Sequence, residues 1–325
     1  MDRPRGVGRG TLVSLLIISS VTAVVLWQHQ AIYDWARLRN YVPPPEIAAL
    51  AASTTMNGTA KHLFYVNQPE LQDKEQFNQS CTDSEQSIVL GCYIQNRGIY
   101  LYNVTDKRLD GVEEVTAAHE TLHAAYDRLS AADRKRIDQL TEQAYKNIQS
   151  ERIKKTVESY RTKDPSVVPN ELHSIIGTEV RNLPPELENY YKRYFDNRLA
   201  IVSMSESYEK EFESRDALAK DYRQQLESLR NRVNDLNRDL ATRANELSVT
   251  YKNLQNSRGT TDAATFNTEA KIYNNKVAAY NADVGNVSLL IDKHNALLEK
   301  YNAVVLEENE LIKAIDSRPS TINAE

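Results

Sequence analysis

Residues 201–315 carry the pattern that most restricts the fold of this chain. Two long segments repeat apolar side chains at alternating intervals of three and four residues, the spacing of helices packed in a coiled coil. The first segment does so at Ile201, Tyr208, Phe212, Ala219, Tyr222, Leu226, Leu229, Val233, Leu236, Leu240, Leu247 and Leu254. The second does so at Ala263, Phe266, Ala270, Tyr273, Val277, Tyr280, Val284, Val287, Ile291, His294, Leu298, Tyr301, Val305, Ile312 and Ile315.

One break separates these segments, at residues 256–261, where Gly259 can end a helix and the threonines after it can cap the next one. Each segment has about 54 residues, and the equal lengths predict an antiparallel hairpin roughly 80 Å long at 1.5 Å per residue. A parallel coiled-coil dimer through either segment stays open. Arg215, Arg243 and Glu308 fall at seam positions and weaken both arrangements locally.

Composition sets limits on the rest of the chain. Its 325 residues include only 10 glycines and are 41% hydrophobic, which favours one medium-sized helical domain plus something elongated. The net charge is −5, and no basic stretch is interleaved with aromatic residues. This composition gives no support for nucleic-acid binding.

The segment His119-Glu120-Thr121-Leu122-His123 has the spacing of a metal site. On an α-helix, residues four apart lie on one face, so the two histidines can offer imidazole nitrogens to one tetrahedral zinc ion. Zinc lowers the pKa of a bound water to about 7, and Glu120 can take its proton as the water attacks a carbonyl. The pattern predicts a helix from near Gly111 to near Asp127. An accidental match on an amphipathic helix is the alternative.

These residues resemble the zincin metallopeptidases, whose extended helix pattern is matched by Thr116 and by the uncharged flanks of the motif through Ala125. Asn170-Glu171-x-x-Ser174 resembles the second zinc helix of the gluzincin subgroup. The resemblance implies that Glu171 is the third zinc ligand and that Ser174 lets the two helices approach. In gluzincins the residue after this serine position is usually an aspartate that orients a histidine, but this chain has Ile175 there.

Two other residues compete for the role of third ligand. Glu179 falls on a helix face that is otherwise apolar, where a buried carboxylate needs a partner such as a metal. His173 is the remaining candidate, better suited to hydrogen bonding around the reaction than to metal binding.

Residues 11–27 form an uncharged, largely apolar stretch of about 17 residues ending at Trp27, just long enough to span a bilayer. Arg3, Arg5 and Arg9 precede it, so the positive-inside rule places the N-terminus in the cytoplasm. No small-x-small cleavage site follows, which favours an uncleaved signal anchor over a removable signal peptide.

Between this stretch and the metal motif, three segments predict strands of a small antiparallel sheet, namely 62–66, 88–94 and 99–104. Within the last of these, Ile99 to Asn103 is the candidate to pair with an extended peptide substrate, although an interior position in the sheet is equally compatible. Cys81 and Cys92 are the only cysteines, and an even pair in an exported domain favours one disulfide over two unpaired buried thiols.

Taken together, the sequence predicts an α+β protein with an N-terminal transmembrane helix, a small zincin-like domain with an antiparallel sheet, and a long coiled-coil hairpin. The predicted regions are a cytoplasmic tail 1–10, a signal anchor 11–27, a linker 28–60, a metallopeptidase domain 61–200, a hairpin 201–318 and a tail 319–325.

The predicted function is that of a membrane-anchored, extracytoplasmic zinc metallopeptidase, with Glu120 as general base and His119, His123 and Glu171 as ligands of Zn²⁺. Its expected partners are a peptide or protein substrate and the lipid bilayer, with a protein partner or self-association through the coiled coil left open. The alternative is a non-catalytic envelope or scaffolding protein whose metal, if any, is structural.

Overall fold

The computed structural model describes residues 28–81 and 88–318, which are mostly helical. Helix α1 covers 28–38 in the described part. The other helices are α2 Pro45–Ser53, α3 Gly58–Val66, α4 Lys74–Ser80, α5 Val112–Asp127, α6 Ala131–Tyr145, α7 Glu151–Lys163, α8 Val168–Glu179, α9 Pro185–Tyr191, α10 Arg198–Ser257 and α11 Ala263–Ile315. The strands are β1 Glu70–Gln72, β2 Gly91–Ile94 and β3 Gly98–Tyr102.

The described chain divides into two compact units. The first unit comprises Met1–Glu209 together with Ala314–Glu325, and the second comprises Lys210–Lys313. The first therefore contains the sheet, helices α1–α9 and the beginning of α10. The second contains most of α10 and α11.

The sheet is smaller than predicted and is not purely antiparallel, which corrects the predicted α+β class to a mostly helical fold. Its strand order is β1-β3-β2, with β3 parallel to β1 and antiparallel to β2. Both edges of β3 are therefore paired with neighbouring strands. The predicted substrate-pairing segment, Ile99 to Asn103, overlaps this central strand, and β1 and β2 are the edge strands on either side of it.

One predicted strand, 62–66, belongs instead to helix α3. The side chain of Asn57 caps that helix, accepting hydrogen bonds from the backbone N–H groups of Thr59 at 2.9 Å and Ala60 at 3.2 Å. A short apolar run fits a strand or a buried helix equally well, and here the N-terminal cap favours the helix.

None of the helices within the described residues is long and apolar enough to cross a membrane. Helices α10 and α11 have the length, but charged and amide side chains recur along both. This finding contradicts the predicted N-terminal transmembrane helix and the single-pass, extracytoplasmic localisation, which are withdrawn. The segment that motivates them, 11–27, lies outside the described residues.

Helix α5 lies in the core of the first unit. It runs from Val112 to Asp127, in agreement with the bounds expected from the sequence. Its uncharged residues explain this position, because Ala117, Ala118 and Leu122 are fully buried without leaving a charge unpaired. Helix α5 packs against α8, β2 and α3.

In the second unit, α10 and α11 run antiparallel, as the equal segment lengths suggest. Arg243 pairs with Asp283 at 2.7 Å and Arg215 with Glu307 at 3.2 Å, so residue numbers rise along one helix as they fall along the other. The two seam arginines therefore have acidic partners. Gly259, with φ of 85°, lies in the turn between the helices.

The cap of α11 is Asp262 rather than the predicted threonines. Its Oδ1 accepts hydrogen bonds from the backbone N–H groups of Ala264 at 3.1 Å and Thr265 at 3.0 Å. An ionised carboxylate at a helix N-terminus also interacts favourably with the helix dipole.

Beyond α11 the chain rejoins the first unit and is held there by three side chains. Ser317 is 3% exposed, and its hydroxyl donates to the carbonyl oxygen of Val89. Asn78 donates to the carbonyl oxygen of Ser317 at 2.7 Å, and Lys74 donates to that of Asp316 at 2.8 Å. The first unit is therefore completed by residues that follow the hairpin.

Candidate metal centre

The two histidines of the motif lie one turn apart on α5, with ring centres separated by 4.8 Å. Glu120 is 5% exposed. His119, Glu120 and His123 each offer one atom that can bind a metal, and these three atoms lie within 4.8 Å of one another. The three residues could therefore hold a metal ion. This much of the predicted site is confirmed by the geometry of α5.

Helix α8 brings Glu171 to the same place. His119 Nε2 lies 3.6 Å from Glu171 Oε2, and His123 Nε2 lies 3.7 Å from Glu171 Oε1. Ligands about 2.0–2.1 Å from a tetrahedral zinc ion lie about 3.3 Å from one another, close to these separations. We call His119, His123 and Glu171, as the three candidate ligands, the ligand triad.

The environment of Glu171 also suits a cation. Its Oε2 is buried and has no partner within ordinary hydrogen-bond distance, since His119 Nε2 lies 3.6 Å away. A buried carboxylate oxygen without a close partner is costly unless a cation compensates. Burial raises the pKa of Glu171, but interactions with His119, His123 and Tyr160 outweigh it and leave the pKa below its usual value. The carboxylate is therefore ionised at neutral pH, as metal binding requires.

A further residue orients the triad. The Nδ1 of His123 lies 2.9 Å from the side-chain oxygen of Asn170. An amide oxygen only accepts hydrogen bonds, so this contact suits a His123 tautomer with its proton on Nδ1, which leaves the Nε2 lone pair for a metal. Asn170 thus supplies an orienting contact although Ile175 replaces the gluzincin aspartate. Asn170 stands in the sequence motif next to Glu171, but the motif alone predicts no role for it.

The competing ligand candidates lie elsewhere. Glu179 is at the far end of α8, where its carboxylate pairs with Arg152. His173 is fully buried, and its Nε2 hydrogen-bonds the Tyr190 hydroxyl at 2.8 Å. Burial, with smaller contributions from the two motif histidines, lowers the pKa of His173 to about 3, so it stays neutral.

A cleft of about 680 Å³ lies over the ligand triad. Its walls include β2, residues of α5 and α8, Tyr160 of α7, and Ser317 with Arg318. His173 and Glu179 do not line it. The cleft is large enough for several residues of a bound chain beside the triad.

Strand β2 approaches the motif so closely that only glycine fits at its first position. A Cβ added to Gly91 would lie 2.5 Å from Thr116 Cγ2 and 2.9 Å from both Cγ and Oε1 of Glu120. The backbone of β2 therefore packs against the Glu120 side chain and limits its conformations.

The predicted disulfide joins Cys81, at the end of α4, to Cys92 of β2, with Cα atoms 6.1 Å apart. It therefore ties the cleft-lining strand to a neighbouring helix. The two thiols are consumed, so neither is available as a metal ligand.

Comparisons with protein-family models, with curated proteins and with solved structures gave no match. The assignment of a metal site therefore rests on the residues and distances described above.

Proposed function

We propose that this protein is a zinc-dependent metallopeptidase, in which the ligand triad holds the metal and Glu120 is the general base. One observation carries the proposal. Two imidazole Nε2 atoms from α5 converge on the two oxygens of a single carboxylate from α8, at 3.6 and 3.7 Å. Two histidines and one glutamate form a typical donor set of catalytic zinc, which keeps a fourth position for water or substrate.

The choice of zinc follows from donor chemistry. Nitrogen donors from neutral imidazoles and one carboxylate suit zinc, whereas magnesium and calcium prefer oxygen donors alone. Zinc bound there would lower the pKa of a coordinated water and polarise a carbonyl oxygen of the substrate.

Glu120 is positioned to move the proton. It neighbours the first ligand histidine on α5, lines the cleft and is shielded from solvent. We assign it the removal of a proton from the attacking water and the delivery of that proton to the leaving amine. Because the backbone of β2 packs on its side chain, Glu120 has few other orientations open to it.

The same strand is suited to hold the substrate. An extended peptide can pair with the edge of a sheet by main-chain hydrogen bonds, and β2 is an edge strand that lines the cleft. A peptide bound along β2 would pass beside Glu120. Main-chain pairing needs no particular side chain, so it is compatible with a broad range of peptides.

The test combines metal content with peptide hydrolysis in the wild type, Glu120→Gln and Glu171→Gln. We expect one zinc per chain in the wild type and in Glu120→Gln, reduced zinc in Glu171→Gln, and hydrolysis of a peptide mixture by the wild type alone. Glu114→Gln is the matched control, because Glu114 lies on α5 but does not line the cleft. Hydrolysis by Glu120→Gln at the wild-type rate would refute the mechanism.

A non-catalytic scaffolding role is the second candidate, favoured by the separate hairpin unit Lys210–Lys313. In that case Glu120 would complete a closed site with four protein ligands, since it belongs to the same metal-binding group as the histidines. Loss of zinc in Glu120→Gln, together with no hydrolysis by the wild type, would support this role.

A further inference from the structure

Arg134 is a cationic side chain in the wall of the cleft, near the beginning of α6. Within residues 28–81 and 88–318 it makes hydrogen bonds only to the backbone. Its Nη2 lies 3.3 Å from the carbonyl oxygen of Tyr126 and 3.4 Å from that of Asp127. Its Nε is buried and has no partner there. The guanidinium therefore keeps donors for a ligand, and no carboxylate of the described residues forms an ion pair with it.

The end of α5 holds this guanidinium in place. Its central carbon lies 4.8 Å from the centre of the Tyr126 ring, which is a cation–π contact. The Tyr126 hydroxyl in turn donates to Asp138 Oδ1 at 2.7 Å and so fixes the ring. Arg134 is therefore less free to move than an arginine that extends into solvent, and less entropy is lost when a ligand binds it.

A substrate bound at the ligand triad would pass close to Arg134. Tyr126, on which Arg134 stacks, follows His123 by three residues and lies on the same side of α5. The two residues are about 4.5 Å apart along the helix axis, and both line the cleft. An extended peptide advances about 3.3 Å per residue, so this offset corresponds to one or two residues of a peptide that crosses the triad.

Two other charged residues that line the cleft already have side-chain partners. The Tyr93 hydroxyl of β2 donates a hydrogen bond to the carboxylate of Asp127. Arg318 donates to the two carboxylate oxygens of Asp316 at 2.7 and 2.9 Å. The charge of Arg318 is therefore balanced within the protein, whereas that of Arg134 is left for a substrate.

We propose that Arg134 determines substrate specificity by binding a carboxylate of the peptide, one or two residues from the bond that is cleaved. This inference rests on the proposed peptidase function. A guanidinium binds a carboxylate through charge-assisted hydrogen bonds, often two in parallel, and a partly buried cleft strengthens them relative to water. The carboxylate belongs either to an aspartate or glutamate side chain or to the C-terminus of the peptide. Main-chain pairing along β2 then supplies affinity, and Arg134 selects acidic peptides.

Hydrolysis of matched peptide libraries by the full chain tests the proposal. Two libraries are acetylated and amidated at their ends and differ only by glutamate or glutamine at a central position. A third carries the glutamine with a free C-terminal carboxylate. We expect kcat/KM to be about tenfold or more higher for a library with a carboxylate than for the amidated glutamine library. A higher value for the glutamate library identifies the side chain as the source, and a higher value for the third library identifies the C-terminus.

Substitution of Arg134 separates recognition from stability. Arg134→Met keeps the length of the side chain but removes the charge, and should abolish the preference for a carboxylate. Arg134→Lys keeps the charge without the paired donors and should retain part of the preference. Arg136→Met is the matched control, because Arg136 lies on α6 outside the cleft and pairs with Glu186. A purely structural role of Arg134 would lower hydrolysis of all the libraries equally, and that result would overturn the proposal.

Binding to Glu120→Gln distinguishes failure of this inference from failure of the peptidase proposal. Fluorescence anisotropy with labelled copies of the three libraries measures recognition without hydrolysis. If the wild type hydrolyses no library but Glu120→Gln still binds a carboxylate library about tenfold more tightly, the peptidase proposal fails and recognition by Arg134 stands. If the wild type hydrolyses all three libraries equally, or if Glu120→Gln binds them equally, recognition of a carboxylate by Arg134 is refuted.

Discussion

Replacing Gly91 by alanine tests whether the contact between β2 and Glu120 matters for hydrolysis. The added Cβ would lie 2.5 Å from Thr116 Cγ2 and 2.9 Å from Glu120 Oε1. Carbon atoms normally lie about 3.5–4.0 Å apart, so Thr116 or the strand must move by about 1 Å. Thr116 cannot simply rotate, because its hydroxyl donates to the carbonyl oxygen of Val112 at 2.8 Å.

The displacement therefore falls partly on Glu120. A misplacement of about 1 Å in a catalytic site can cost a factor of about 100 in rate. We expect Gly91→Ala to lower kcat/KM about a hundredfold, corresponding to about 2.7 kcal/mol of transition-state stabilisation. The loss should fall mainly on kcat, because the ligand triad and the proposed peptide-binding edge of β2 are not themselves substituted.

The assay is steady-state hydrolysis of the peptide found for the wild type, with zinc content measured on the same samples. Gly58→Ala is the control for the chemical change itself, since no atom lies within 4 Å of a Cβ built there. Adding Thr116→Ser to Gly91→Ala removes the closest contact but keeps the hydroxyl, and should recover about tenfold of the loss. Wild-type kcat in Gly91→Ala, with zinc retained, would refute the reasoning.

Three further predictions concern orientation, packing and pH. Asn170→Leu should weaken zinc affinity about 10- to 100-fold, because His123 loses the contact that fixes its tautomer; competition with a chelator measures it. Gly177→Ala should destabilise the fold by about 1–3 kcal/mol in denaturant titration, since its Cβ would lie 2.5 Å from Leu122 Cδ1. Burial raises the pKa of Asp34, but hydrogen bonds led by Arg128 outweigh it and lower the pKa below 3.8. The ionised carboxylate of Asp34 therefore makes its full contribution to the free energy of unfolding above pH 3.8, and this contribution is lost as the pH falls through the lower pKa of the folded protein. The difference in free energy of unfolding between the wild type and Asp34→Asn should therefore shrink in acid.

Each of these predictions has a matched control. Asn170→Asp keeps an acceptor oxygen and should retain zinc far better than the leucine variant. Gly285→Ala, also within a helix but with open space around it, should not destabilise. Asp216→Asn removes an exposed carboxylate and should change the free energy of unfolding much less than Asp34→Asn does at neutral pH. Equal behaviour of test and control variants would contradict the corresponding argument.

Periodicity and spacing predicted the parts of the structure that depend on single helices. The seam of α10 follows the predicted residues, because its exposed side is charged and leaves one apolar face. Helix α11 carries apolar residues at three heptad positions, so its own sequence permits two seams. Only the position of α10 decides that Leu290 is buried and Ile291 is exposed.

In the candidate site, too, the sequence predicted what one helix determines and missed what depends on contacts between separate elements. His119 and His123 are positioned by one helix turn and could be identified directly. The roles of Asn170 and Gly91 depend on how α8 and β2 meet α5, which no local pattern encodes. The strand predicted at 62–66 failed for a local reason, because the cap at Asn57 lies outside the apolar run that suggested it.

The return of residues 316–318 to the first unit has a consequence for biosynthesis. A ribosome must make all of Lys210–Lys313 before Ser317 can meet Asn78, which takes roughly 5–20 s at usual translation rates. Until then this side of the cleft lacks its last wall. A nascent or prematurely released chain therefore exposes the cleft rim, and translation of the hairpin sets the time at which the cleft is completed.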